Sequence, residues 1–273
     1  ICFLVVFNMV KTCRERFVKV NAKSHSPILT ALGETIRNKP FVDLMIYRLC
    51  QVFGERVFQG LLFYIGLAYV CTGDKSRIGQ MLFIGGTLGS VITFVILPFL
   101  KTFTMKLGKR AGLIVISVIA LALLLIQPLI LRPHQYYLLL IPLLLLPLLS
   151  VLSTTLLNAI VPDICDLDEL EHGERREGLY TAVVAFMAKL EISLSLGIVG
   201  GLLWLIGYNE STSTQSPEVI TKLLWVAISI GIFFTAGALY AAFRFKMDEA
   251  QVNEIHRQLE ARRSAKAALE GAE

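Results

Sequence analysis

Apolar residues dominate long stretches of this chain and polar residues gather in the short gaps between them. Six apolar runs, at about 43–70, 78–100, 111–131, 136–161, 179–207 and 219–243, each reach or exceed the roughly 20 residues that a helix needs to cross a bilayer. Backbone polar groups in lipid must be satisfied within the segment, so these runs are read as helices. The residue-by-residue alternation of a membrane barrel is absent from them. A seventh apolar stretch, ICFLVVFNMV at the start, is too short to span and lacks the basic start and cleavage site of a signal peptide. It is read as the end of a truncated transmembrane helix (1–10). A basic, polar connection follows (11–40), expected to be a central cytoplasmic loop. The six spans form a bundle over 41–245, and 246–273 is a polar, alanine-rich cytoplasmic tail with helical potential. In that tail Asp248 is positioned to cap a helix with Gln251 three residues on. Val252, Ile255 and Leu259 make only a thin apolar stripe, so a solvated or frayed helix is expected.

Composition agrees with this pattern. The 273 residues are 55% hydrophobic and 17% charged, with a mean hydropathy of +0.66, whereas soluble domains carry about 25% charge. The net charge of +5 does not indicate nucleic acid, because the cations sit between the apolar runs. Lys11, Arg14, Arg16, Lys19, Lys23, Arg37 and Lys39 lie on one side with Lys101, Lys106, Lys109, Arg110, Arg175 and Arg176; the opposite segments hold only Lys75, Arg77 and Arg132. The positive-inside rule places the first set and the C-terminus in the cytoplasm of a multi-pass protein of the inner or plasma membrane. The five cysteines show neither CxxC nor metal-ligand spacing and are read as apolar fillers.

Several residues stand out against the apolar background. In the first span Arg48, Gln51, Glu55 and Gln59 fall on one helical face, with Arg56 at its edge. Ionised groups at bilayer depth are tolerated facing partners or water, so this stripe is either the lining of a solute pathway or an interhelical ion-pair cluster such as Glu55 with an arginine. In the fifth span Lys189 and Glu191 point to nearly opposite faces and each needs a partner elsewhere; Lys189 is the stronger functional candidate. The pairs Gly85/Gly89 and Gly197/Gly201 have helix-packing spacing. Pro98, Pro142 and Pro147 can bend their spans.

The densest charge lies at Asp163–Gly178, DICDLDELEHGERREG, in which Asp163, Asp166, Asp168, Glu169 and Glu171 precede Arg175 and Arg176. It reads as a loop whose acids face the basic KTFTMKLGKR segment (Lys101–Arg110). Exposed ion pairs of about 0–1 kcal/mol each suit a device that opens and closes.

The pattern D-x-x-D-x-D-E, then G-x-R-R-E-G, then a span with a lysine in its first third resembles the glycoside–pentoside–hexuronide:cation symporters, the melibiose-permease-like branch of the major facilitator superfamily. The Lys-Leu-Gly-Lys-Arg run (106–110) is similar to that superfamily's basic loop. The resemblance covers nearly the whole chain. It implies an all-α membrane fold, the six-helix C-terminal bundle of a major-facilitator protein. It also implies cation-coupled (Na+ or H+) secondary transport, of a sugar or glycoside, by alternating access. Asp163, Asp166 and Arg175 would then be cytoplasmic gating charges and Lys189 the helix-eleven lysine of cation and sugar binding, with the Arg48/Gln51/Glu55/Gln59 stripe beside it. Val184, Ala185 and Thr154 depart from the melibiose-permease pattern, which speaks against a melibiose-like sugar. The implied partners are the lipid bilayer, a missing N-terminal half of the same protein and a small solute; no cofactor beyond the coupling ion is implied. The alternatives are a membrane enzyme whose acidic loop and His172 bind a metal, and a non-transporting membrane scaffold. No Ser/His/Asp or HExxH constellation supports the enzyme.

Overall fold

A computed structural model describes Gly33, Thr35 and residues 38–173, 176–209, 211–212 and 215–270, apart from the side chains at 101–106, 263 and 265–270. All regular structure among the described residues is helical. Asn38 opens the first helix, its side chain accepting from the Phe41 backbone N–H at 3.3 Å, with Pro40 in the first turn, where a missing N–H is harmless. This helix is a composite. Helix α1 (Lys39–Arg48) runs into a π turn (Leu49–Phe53), then α2 (Gly54–Ile65), then a second π turn (Gly66–Val70). Next come α3 (Lys75–Leu107), α4 (Lys109–Ile130), a 3-10 turn (Tyr136–Leu139), α5 (Leu140–His172), α6 (Glu177–Ile206), α7 (Pro217–Arg244) and α8 (Glu249–Glu270).

Five of these helices are long and apolar enough to cross a membrane, among the described residues. They correspond to the predicted spans from 78–100 onward, with that at 136–161 opening in the 3-10 turn, and the first predicted span falls within the α1–α2 composite. The ends are set by local chemistry. Ser216 caps α7 through the Val219 N–H at 3.4 Å. Gly173 ends α5 at φ +77°, a left-handed conformation that other residues adopt only with strain.

Helix α5 therefore runs about ten residues past its apolar stretch. Asp163–His172, expected as a loop, are its last turns. Within Asp163–His172 there is no breaker, Pro162 standing just ahead inside the helix, and the Asp168–His172 pair (3.0 Å) has the i,i+4 spacing that supports a helix.

Helix α7 packs along α1, α2 and α4; α3 packs along α5; and α2 also touches α6. Close approach depends on missing side chains at particular points. A Cβ on Gly85 would meet Leu143 of α5 at 3.0 Å, and one on Gly89 would meet Leu144 at 3.7 Å, so this pair packs as its spacing predicts. Gly197 and Gly201 have nothing within 4 Å of an added Cβ among the described residues, so the same motif packs against nothing there. The tightest point is Gly54, where a Cβ would lie 2.3 Å from the Phe234 Cβ, an atom fixed to its backbone. Gly54→Ala should therefore destabilise the bundle by about 1–3 kcal/mol through overpacking, read as a lower melting temperature in detergent. An unchanged melting temperature would show that α2 and α7 separate freely.

The outer surface is apolar: Phe83 and Phe94 on α3, Trp204 and Leu205 on α6 and Phe233 on α7 are each more than 70% exposed. Hydrocarbon accommodates such faces at no cost, whereas water does not.

Candidate functional site

Polar side chains collect in two places, inside the bundle and at one end of it. Inside, the Tyr47 hydroxyl lies 3.2 Å from Ser117 Oγ and 3.1 Å from Ser153 Oγ, tying α1 to α4 and α5. All three residues are buried, and their mutual bonding removes the penalty of unpaired hydroxyls. Sequence reading missed this node; the available signal was three isolated hydroxyls in apolar runs.

Arg48, next in the chain, reaches α6. Its Nε donates to Glu191 Oε1 at 3.0 Å and its Nη2 to Glu191 Oε2 at 3.3 Å. Arg48 is 6% exposed and Glu191 0%. Such a fork-to-fork pair fixes direction as well as charge, so it locks the rotation of α6 against α1. Glu191 is the partner that the stripe's arginine required, in place of Glu55. Lys189 lies on another side of α6, exposed and without a hydrogen bond or ion pair to any described residue. The divergence of Lys189 and Glu191 predicted from their spacing is thus present.

The stripe itself is divided. The π turn at Leu49–Phe53 holds one more residue than an α turn, which rotates the remainder of the helix by about 100°. Arg48 consequently points to α6, while Gln51 and Glu55 border the interior between α4, α5 and α7. Gln59 Nε2 donates to Glu55 Oε1 at 2.6 Å.

The second collection lies where α1 begins, α3 meets α4, α5 ends and α7 ends. Asp163 pairs with Lys109 at 2.5 Å, and Lys109 also donates to the Ala159 carbonyl at 3.2 Å. The basic segment therefore meets the acidic one, through α4. Asp166 faces His256 at 3.2 Å. Arg244 pairs with Asp43 at 2.9 Å, and Arg110 bonds Asp248 (3.2 Å) and the Phe243 carbonyl (2.9 Å). Arg175 lies outside the described residues.

Helix α8 departs from expectation. Val252, Ile255 and Leu259 are buried and the helix lies along α5, with Arg262 donating to the Leu170 carbonyl at 2.7 Å. The stripe is thin, but three apolar residues at helical spacing suffice when a partner helix continues far enough to receive them. Among the described residues no group of three or more His, Cys, Asp or Glu side chains is placed to hold a metal.

A family model described as MFS/sugar transport protein matches residues 1–249. The chain belongs to this family. It is a multi-pass membrane protein of a transporter family, and not of an enzyme family. Among relatives, the uncharacterized symporter YnaJ of Bacillus subtilis (strain 168) is 28% identical over 92% of this chain and 53% of its own length. The uncharacterized symporter YjmB of the same organism is 27% identical over 84% of this chain and 50% of its own. YagG of Escherichia coli (strain K12), provisionally named a glycoside/cation symporter, is 28% identical over 41% of this chain and 25% of its own length. The chain thus spans about half the length of YnaJ and YjmB.

Proposed function

We propose that this MFS/sugar transport chain is the C-terminal half of a cation-coupled symporter for a sugar or glycoside, working by alternating access. The observation that carries the reading is Lys189, a cation in an apolar helix, exposed and without a partner among the described residues. A charge in that position is tolerable only facing water, solute or a second bundle. An N-terminal half packed on that face would enclose Lys189 at mid-depth, where solute sites of two-bundle transporters lie. The buried Arg48–Glu191 pair would hold α6 in the orientation that presents it. The names of YnaJ, YjmB and YagG as symporters support the coupled mechanism, and YagG's name supports a glycoside.

In this reading the charged end is cytoplasmic, in keeping with the distribution of Lys and Arg, and the membrane is the inner or plasma membrane. Asp163–Lys109 and Asp166–His256 then belong to the gate that closes the cytoplasmic side, with Arg175 as a further gating charge. The test is uptake by the full-length protein in proteoliposomes, across a panel of sugars and glycosides, with Na+ and pH gradients imposed separately. Accumulation of one of them above its external concentration, driven by one of the two ions, is expected. Mere equilibration under both gradients would contradict coupling, and no entry of any sugar would contradict the solute class.

A further inference from the structure

Two buried oxygens inside the bundle face a chemical contradiction. Glu55 Oε2 and Gln51 Oε1 are both shielded from solvent and neither has a hydrogen-bond partner among the described residues. They belong to residues one helical turn apart that line the same cavity of about 10 Å³, room for about one water. Gln51 is 3% exposed. The rest of the wall is apolar or neutral: Ala120 and Leu124 from α4, Leu146 and Leu149 from α5, Gly231 and Thr235 from α7. Ser150 of α5 lies close enough to the same carboxyl for its hydroxyl to favour the carboxylate, but Oε2 itself has no hydrogen-bond partner among the described residues. Unpaired buried polar atoms are costly, and an amide oxygen and a carboxylate oxygen, both acceptors, cannot satisfy one another.

Among the described residues no cation is placed to resolve this. Arg48 is engaged on both prongs by Glu191. Arg56, adjacent in sequence, acts on Glu55 only through space and its side chain is exposed. Neither α4, α5 nor α7 contributes a charged side chain to the cavity wall, and Tyr47, which also feels Glu55, spends its hydroxyl on Ser117 and Ser153.

We propose that Glu55 Oε2 binds one proton, whose O–H then donates to Gln51 Oε1, and that this is a coupling-ion site within this half of the transporter. One proton turns the Glu55 acceptor into a donor that Gln51 Oε1 can receive and neutralises the carboxylate, while Gln59 continues to donate to Oε1. The atoms balance simply: a carboxylate and a proton give a carboxylic acid, and release returns both. Release leaves a buried carboxylate whose remaining hydrogen bond comes from Gln59, so it is favourable only in a conformation that admits water to the cavity. That requirement links proton occupancy to the opening of the bundle. The coupling role rests on the transport reading; the proton site does not.

The test uses the full-length protein. Infrared spectra recorded in H2O and D2O across a pH series should show a protonated-carboxyl carbonyl band that is lost in Glu55→Gln. The same band should shift in Gln51→Leu, whose side chain offers the O–H no acceptor. With solute added to a weakly buffered proteoliposome suspension, alkalinisation by wild type should fall at least tenfold in Glu55→Gln. A band unaffected by both substitutions would overturn the proton site, as would its displacement by Na+ at constant pH. Equal alkalinisation by wild type and Glu55→Gln would overturn the coupling role. If the band behaves as expected while no sugar moves in wild type, the transport reading falls and the proton site stands.

Discussion

Glu191→Ala is expected to lower the stability of the bundle by about 3–5 kcal/mol, the cost of stranding a buried charge when its partner is removed. The variant leaves the Arg48 guanidinium buried with both prongs unpaired, and neither carboxylate of the first apolar helix replaces Glu191, because Asp43 pairs with Arg244 and Glu55 borders another interior. Arg48→Ala should have a similar effect through Glu191, which is completely buried. The double substitution Arg48→Met/Glu191→Leu should recover most of the loss, since well-packed apolar residues often replace a buried ion pair without penalty. Thermal unfolding in detergent, followed by tryptophan fluorescence, reads all three. Two single variants that melt with wild type would mean that the guanidinium and carboxylate find water, and that the pair does not fix α6.

The second large effect is functional and leaves stability alone. Lys189→Ala in the full-length protein should reduce solute uptake by about tenfold or more, the loss of one hydrogen bond to a charged group worth roughly 1.5–3 kcal/mol. Its melting temperature should be unchanged or slightly higher, because Lys189 has no partner among the described residues of its own bundle and replacement removes a charge from an apolar face. Retained coupled uptake in Lys189→Ala would remove this residue from the pathway. A large drop in melting temperature would instead assign it to holding the two halves together. The contrast with Glu191, two residues away on the same helix, separates a side chain that builds the bundle from one that acts in it.

Much of the fold was legible because lipid imposes a simple rule. Each of the six long apolar runs had to become a helix, and each did, with boundaries displaced by up to about ten residues, most at the end of α5. The exceptions have physical causes. Asp163–His172 reads as a loop only if charge is equated with irregular structure; a helix projecting beyond lipid keeps its hydrogen bonds and stops at the first residue that favours a left-handed turn, here Gly173. The polar stripe was visible as residues but not as geometry, because plain helical periodicity does not register a π turn. Opposed directions for Lys189 and Glu191 followed from spacing alone. Which residue Glu191 would meet did not, since Arg48 lies 143 positions away in the chain. The apolar spacing of Val252, Ile255 and Leu259 was equally readable, but its significance depended on a receiving helix whose length had been underestimated. Two errors therefore had one source: the end of α5.

That last helix carries a practical consequence. Arg262 grips the α5 backbone at Leu170, His256 meets Asp166, and Asp248, just ahead of the helix, meets Arg110 of α4. A shortened gene product ending after Arg244 would lose all three anchorages together with the three apolar residues that seat them. Engineering at this end is consequently not silent: a fluorescent reporter or purification handle belongs beyond 262, while one inserted between Arg244 and Glu249 would pry apart the segment it was meant only to label.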